Sequence, residues 1–180
     1  EWLAEEMAEV VAHAEKRVDI MTLSPPDGLF LTEFKAAIET LADRSSTADN
    51  PIIVRILLGI SSRSFAFDCD LLIQSLTNDL PTDANIRIWV GAWRKGLGWN
   101  HAKLIAVDGT FLHTGGHNLW HKDYLSTTPV HDLSIELEGS VTVDGHHFAN
   151  QQWNFMERNF GDCGELCSMS VRGFPQGVTT

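Results

Sequence analysis

The sequence predicts an α/β fold, a mixed β-sheet flanked by helices, and three observations carry that prediction. Short apolar runs of strand length recur at 17–23 (RVDIMTL), 52–58 (IIVRILL), 85–91 (NIRIWVG) and 101–107 (HAKLIAV). Stretches with apolar residues at helical spacing lie between most of them. Turn-forming clusters punctuate the two kinds of segment. Strands alternating with helices bury their apolar faces best as a sheet layered between helices. A length of 180 residues suits one domain with a sizeable core.

Taken in order, residues 2–16 place Trp2, Leu3, Met7, Val10, Val11 and Ala14 on a helical stripe, with Glu5, Glu6 and Glu9 off it. RVDIMTL is a strand closed by Ser24-Pro25-Pro26-Asp27-Gly28, a strong turn signal. Residues 29–43 form an amphipathic helix through Phe30, Phe34, Ala37, Ile38 and Leu41, and 44–51 are a polar loop. IIVRILL is a buried strand, 68–79 a helix, and NIRIWVG a third strand. HAKLIAV is a buried strand ending at Asp108-Gly109, with FLHTG (111–115) beside it. DLSIELEG (132–139) alternates as a half-buried strand, and a final helix runs from about 143 to 158. His146 and His147 open that helix and read as solvated, whereas Trp153 and Asn154 read as structural. The domain spans 1–160, and 161–180 reads as an irregular linker or tail. Cys69 reads as a small core residue. Cys163 and Cys167 lie four apart in the tail, a spacing compatible with a local bridge or with free thiols.

The formal net charge of −11 argues against general binding to a nucleic acid backbone, which wants a basic surface. No run approaches a membrane span; the longest apolar stretch, 52–60, is interrupted by Arg55. The chain begins at Glu1, as a chain with its signal peptide removed or an excised fragment would.

The chemistry concentrates in residues 99–120. His101, Lys103, Asp108, Gly115, Gly116 and Asn118 form the pattern H-x-K-x4-D-x6-G-G-x-N. Six identities at fixed offsets arise by chance on the order of once in a million chains of this length. Side chains alternate along a strand, so His101 and Lys103 project the same way. A nucleophile or base beside a fixed ammonium suits an anion, phosphate above all. Gly115-Gly116 permits a tight turn or close backbone approach, and Asn118 brings both amide donors and an acceptor. The competing reading of His101 or Lys103 taken singly is a satisfied core residue.

This pattern is the HKD motif of the phospholipase D superfamily. The segments RVDIMTLSPPDG, PIIVRILLG, WNHAKLIAVDG, TGGHNLWHKDYLSTTPVHD and QQWNFMERN resemble the first half of secreted bacterial phospholipase D, over about residues 17–160. The resemblance implies a sheet flanked by helices, with the motif residues at one edge of the sheet face. It implies phosphodiester cleavage through a covalent phosphohistidine. His101 would attack phosphorus. Lys103 and Asn118 would neutralise the non-bridging oxygens. A second His would protonate the leaving alcohol and then activate water, or another alcohol in transphosphatidylation. Asp108 would anchor the motif turn rather than carry protons. Asp132, following P-V-x, would hydrogen-bond the His of the other half of the site; its other reading is a turn residue at a strand start. The reaction so described needs no metal and no cofactor.

The remaining candidates carry two readings each. Trp120 and Tyr124 sit where the resemblance places the pocket, and could hold a quaternary ammonium or simply pack. Trp93, with Trp99, Arg94 and Lys95 nearby, reads as a rim for a lipid headgroup or as packing, and Trp89 as core. His117 fills the variable position of G-G-x-N and reads as part of the site mouth. His113, His117 and His121 lie four apart, but Gly115-Gly116 breaks the helix a metal ladder would need. The motif occurs once, so the chain offers half a site. A second HKD half in the same longer polypeptide, or a second copy about a two-fold axis as in small single-motif nucleases of the superfamily, would complete it. The expectation is a secreted enzyme acting on phosphatidylcholine-like lipid at a membrane surface. The alternatives are a homodimeric phosphodiesterase or nuclease, and a non-catalytic half-domain.

Overall fold

The computed structural model describes residues 2–45, 50–59, 69–95 and 97–160. The elements are α1 (Trp2–Ala12), β1 (Arg17–Thr22), α2 (Gly28–Ser45), β2 (Ile52–Gly59), α3 (Cys69–Thr77), β3 (Ile86–Lys95), β4 (Gly98–Trp99), β5 (Leu104–Val107), β6 (Phe111–Gly115), α4 (His121–Tyr124), β7 (Ser134–Glu138), a 3-10 turn (Ser140–Thr142) and α5 (Val143–Phe160). The strands form one seven-stranded sheet in the order β4-β3-β2-β1-β5-β6-β7. β1, β2 and β3 are parallel, while β5, β6 and β7 join antiparallel to their neighbours. The expected α/β fold with a mixed sheet between helices is the one observed.

Strand alternation divides the core into two layers. Val18, Ile20, Ile56, Leu58, Ile105 and Val107 face one side, where Met7, Val11, Phe30, Phe34, Ile38, Leu41 and Leu72 of α1, α2 and α3 cover them. Met21, Leu57, Trp89, Leu104 and Ala106 face the other, under Ala149, Trp153 and Met156 of α5. Cys69, Trp89 and Trp153 are core residues, as read from the sequence.

His146 is not solvated. It is 5% exposed and lies in a buried polar cluster between the sheet and α5. Its Nδ1 bonds Asp19 Oδ2 at 2.6 Å, and its Nε2 accepts from the Gly109 N–H at 3.0 Å. Arg17 and Arg55 also bind the Asp19 carboxylate, and both reach Asn150 on α5. The physical reason is compensation. Two strands each place an arginine on the apolar α5 face, and buried charges persist only when paired. His147 does lie exposed, 3.6 Å from Asp144.

Other departures are of boundary. β3 runs on to Lys95 and turns into β4, an antiparallel pairing of Arg94 with Trp99. The regular strand of the motif begins at Leu104, not His101. β7 is an edge strand with Ile135 half exposed. The tail 161–180, with Cys163 and Cys167, lies outside the described residues.

Candidate active site

Parallel β1 and antiparallel β5 bring the end of one strand to the start of the other, with Met21 opposite Leu104. Thr22 and Leu23 therefore adjoin Lys103. β5 and β6 likewise set Leu104 against Thr114, so Gly115 leaves the sheet at the same end. His101 and Lys103 from one chain segment and Asn118 from another thus converge on one end of the sheet, where they line a cavity of about 520 Å³. Trp120, Tyr124 and Asp132 complete its wall.

Lys103 is buried, and its Nζ lies 3.2 Å from His101 Nδ1 and donates to the His101 carbonyl at 2.7 Å. Burial pushes the Lys103 ammonium below its ordinary pKa, and the Asp132 carboxylate pulls it back up. With Lys103 charged, Nδ1 is the acceptor, so a neutral His101 ring carries its proton on Nε2. Asn118 is held by its oxygen: Oδ1 accepts from the Leu23 N–H at 2.9 Å and the Thr22 hydroxyl at 3.3 Å. That fixes the amide orientation and makes Nδ2 its donor group.

Gly115-Gly116 serves the approach of the Asp132 segment. A Cβ on Gly116 would stand 2.7 Å from Asp132 Oδ1, and one on Gly115 2.4 Å from the Leu133 carbonyl; Gly115 also has φ +153°. The Gly116 N–H donates to the Leu133 carbonyl at 2.8 Å. Asp132 Oδ2 accepts from the Tyr124 hydroxyl at 2.8 Å.

Three candidates lie away from the cavity. Asp108, grouped with the catalytic residues by its motif, stands beyond the far end of β5. Its carboxylate accepts from the backbone N–H groups of Glu15, Lys16 and Arg17 at 2.6, 3.0 and 2.6 Å. With φ +52°, it is the anchor of the motif turn. Trp93 packs on Phe155 with ring centroids 4.9 Å apart, on the α5 side and away from the cavity wall. His117 is drawn behind the wall: its Nδ1 contacts the Ser134 hydroxyl at 2.8 Å and its ring tilts against Tyr124 at 4.9 Å. Burial holds its pKa below the ordinary value, against Asp132, which raises it. His113 meets Glu136 at 3.2 Å and His121 accepts from Leu29 N at 3.3 Å, so the three histidines point to separate partners. Among the described residues no group of three His, Cys, Asp or Glu could hold a metal ion. Sequence reading missed the Thr22–Leu23 contact that aims Asn118; its only signal was that β1 ends one residue before a Ser-Pro turn.

No family model matches the chain. "Phospholipase D" of Streptomyces antibioticus is 29% identical over 181 residues, covering 95% of this chain and 31% of that protein. NucT from Helicobacter pylori is similar in structure with a TM-score of 0.57 at 14% identity, over 83% of this chain and 86% of that chain. Nuc from Salmonella typhimurium, a phospholipase D family member, gives 0.55 at 14% identity, over 83% and 85%. A mixed sheet presenting His, Lys and an oriented Asn at one end offers donors and a cation suited to an anion such as phosphate. In sequence the chain resembles this phospholipase D, and in fold it resembles Nuc and NucT. It spans less than a third of the curated relative it matches.

Proposed function

We propose that the chain supplies one half of the active site of a secreted phospholipase D that cleaves phosphatidylcholine-like lipids through a phosphohistidine on His101. The carrying observation is that His101, Lys103, Asn118, Trp120 and Tyr124 share one cavity. The reading places phosphate against Lys103 and Asn118 Nδ2, and a cationic headgroup against the two rings. His101 attacks phosphorus and the headgroup alcohol leaves. Attack through Nε2 requires that nitrogen to lose its proton, which a carboxylate accepting from Nδ1 in the completing half would arrange. Asp132 would do the same for the second His.

The half-site reading is supported by the share of the relative that is matched and by an uncovered apolar surface. A second cavity of about 410 Å³ has His101, Lys103, Leu104, Leu112, Val141 and Phe148 in its wall. Val141 is 47% and Phe148 39% exposed, beside Ile135 at 50%. One observation favours completion by a second copy: the similar solved chains are of comparable length to this one. That second reading is a homodimeric phosphodiesterase with the same chemistry, nucleases included.

The test is acid-quench trapping of labelled phosphoryl group on the completed enzyme, followed by peptide mapping. Label on His101, and a folded His101→Asn variant whose turnover falls by several orders of magnitude, are expected. Rapid turnover with no label on any histidine would overturn the covalent route. Comparable rates on phosphatidylcholine and single-stranded DNA would overturn the lipid assignment.

A further inference from the structure

The Tyr124 hydroxyl joins two segments of the site. It accepts from the Asn118 backbone N–H at 3.1 Å and donates its own proton to Asp132 Oδ2 at 2.8 Å. A phenol has one proton to give, and here it is given to a neighbouring residue of the site rather than to a ligand. Burial pushes the Tyr124 phenol above its ordinary pKa, so it remains a donor across neutral pH and well above it. The same residue is held in turn by its own surroundings. Its backbone N–H donates to the Trp120 carbonyl at 3.3 Å, and its ring rests on His117.

Asp132 needs such a fixture. The residue is exposed, and it precedes an edge strand. It acts on Lys103 across the cavity, sustaining the ammonium that burial weakens. A carboxylate free to swing would lose that influence.

We propose that Tyr124 is a positioning residue, its hydroxyl pinning the Asp132 carboxylate at the wall of the cavity in which Lys103 faces a bound phosphodiester. The inference rests on the phosphodiester-binding reading of the cavity. It assigns the hydroxyl a role distinct from the ring's, which alone faces a cationic headgroup.

The experiment uses the chain itself, with dimethyl phosphate as probe because it stays a monoanion from pH 7 to 11. Affinity is read by NMR titration for the wild type, Tyr124→Phe, Asp132→Asn and the double variant, with folding checked by circular dichroism. Tyr124→Phe keeps the ring and is expected to weaken binding roughly three- to tenfold, in keeping with the net worth of one ordinary hydrogen bond. Its alkaline loss of binding should move to lower pH, in the same direction as that of Asp132→Asn. The double variant should bind like Asp132→Asn alone, because Tyr124 acts on Lys103 through Asp132. Effects that add, or a Tyr124→Phe profile superimposable on the wild type, would overturn the inference while leaving the site intact. No binding by folded wild-type chain would overturn the cavity reading, and this inference with it. Asp132→Asn probes the same bond from its other end, so the comparison survives if one variant folds poorly.

Discussion

In the proposed site, Lys103 is the group expected to set the pH behaviour. An ammonium that binds phosphate works below its pKa and fails as pH rises through it. Burial has already lowered that pKa, and Asp132 opposes the change. Asp132→Asn should therefore move the alkaline limb of kcat/KM to lower pH, and a limb that stays put or rises would contradict the assignment. The same burial makes Lys103 a burden on the fold. Its pKa is lower folded than unfolded, so between the two values the unfolded chain binds more protons and stability increases with pH. At neutral pH Lys103→Met should raise stability in urea titrations while abolishing phosphate binding, the exchange expected where function strains a fold. His101 offers a direct reading of its own. Two-dimensional ¹⁵N spectra of the chain should show the neutral ring protonated on Nε2, as the Lys103 contact dictates. That His101 and Lys103 share a pocket was read from strand alternation, and it holds although the regular strand begins only at Leu104. That Asp108 does not join them was legible only from its family role, since a motif lists residues without saying which end of the strand they occupy.

At the scale of elements, the turn 115–118 shows what the glycines are for. Gly116→Ala would drive a methyl group into the Asp132 carboxylate, with no room short of 2.7 Å. It should cost about 1–3 kcal/mol in stability. It should also lower turnover more than the stability loss explains, measured by activity at temperatures where the variant remains folded. The strands and the long helices could be read from periodicity, because burial imposes it. The buried cluster on the α5 face could not. Arg17, Asp19 and Arg55 interrupt apolar runs, and nothing local says that His146 and Asn150, more than ninety residues later, will meet them. His146→Ala removes a partner of Asp19 and leaves the Gly109 N–H unpaired. A loss of about 3 kcal/mol is expected by chemical denaturation, against a negligible change for His147→Ala on the exposed side of the same helix. Of the two readings of Trp93, packing is the one observed: β3 continues past Gly91, which carries the indole onto Phe155.

At the scale of the molecule, the apolar surface around Ile135, Val141 and Phe148 adjoins the wall of the cavity that holds His101. Replacing Val141 and Phe148 together with Ser should leave this chain folded and make it less prone to self-association in sedimentation. The same change in the completed enzyme should separate its halves and lower activity. Unchanged association and unchanged activity would remove this surface from the half-site account.

The order of the strands has a consequence for how the chain is made. β1 lies between β2 and β5, and β5 comes more than eighty residues after β1. During synthesis β1 can pair with β2 early, but its other edge stays open until residues 104–107 leave the ribosome. Only then can Asp108 collect the three backbone amides at 15–17. A nascent chain stalled near residue 100 would thus expose an apolar, unpaired edge, the kind of template on which chains aggregate. The motif strand is the one that covers the open edge of β1, so the polypeptide gains His101 and closes that edge in the same few seconds.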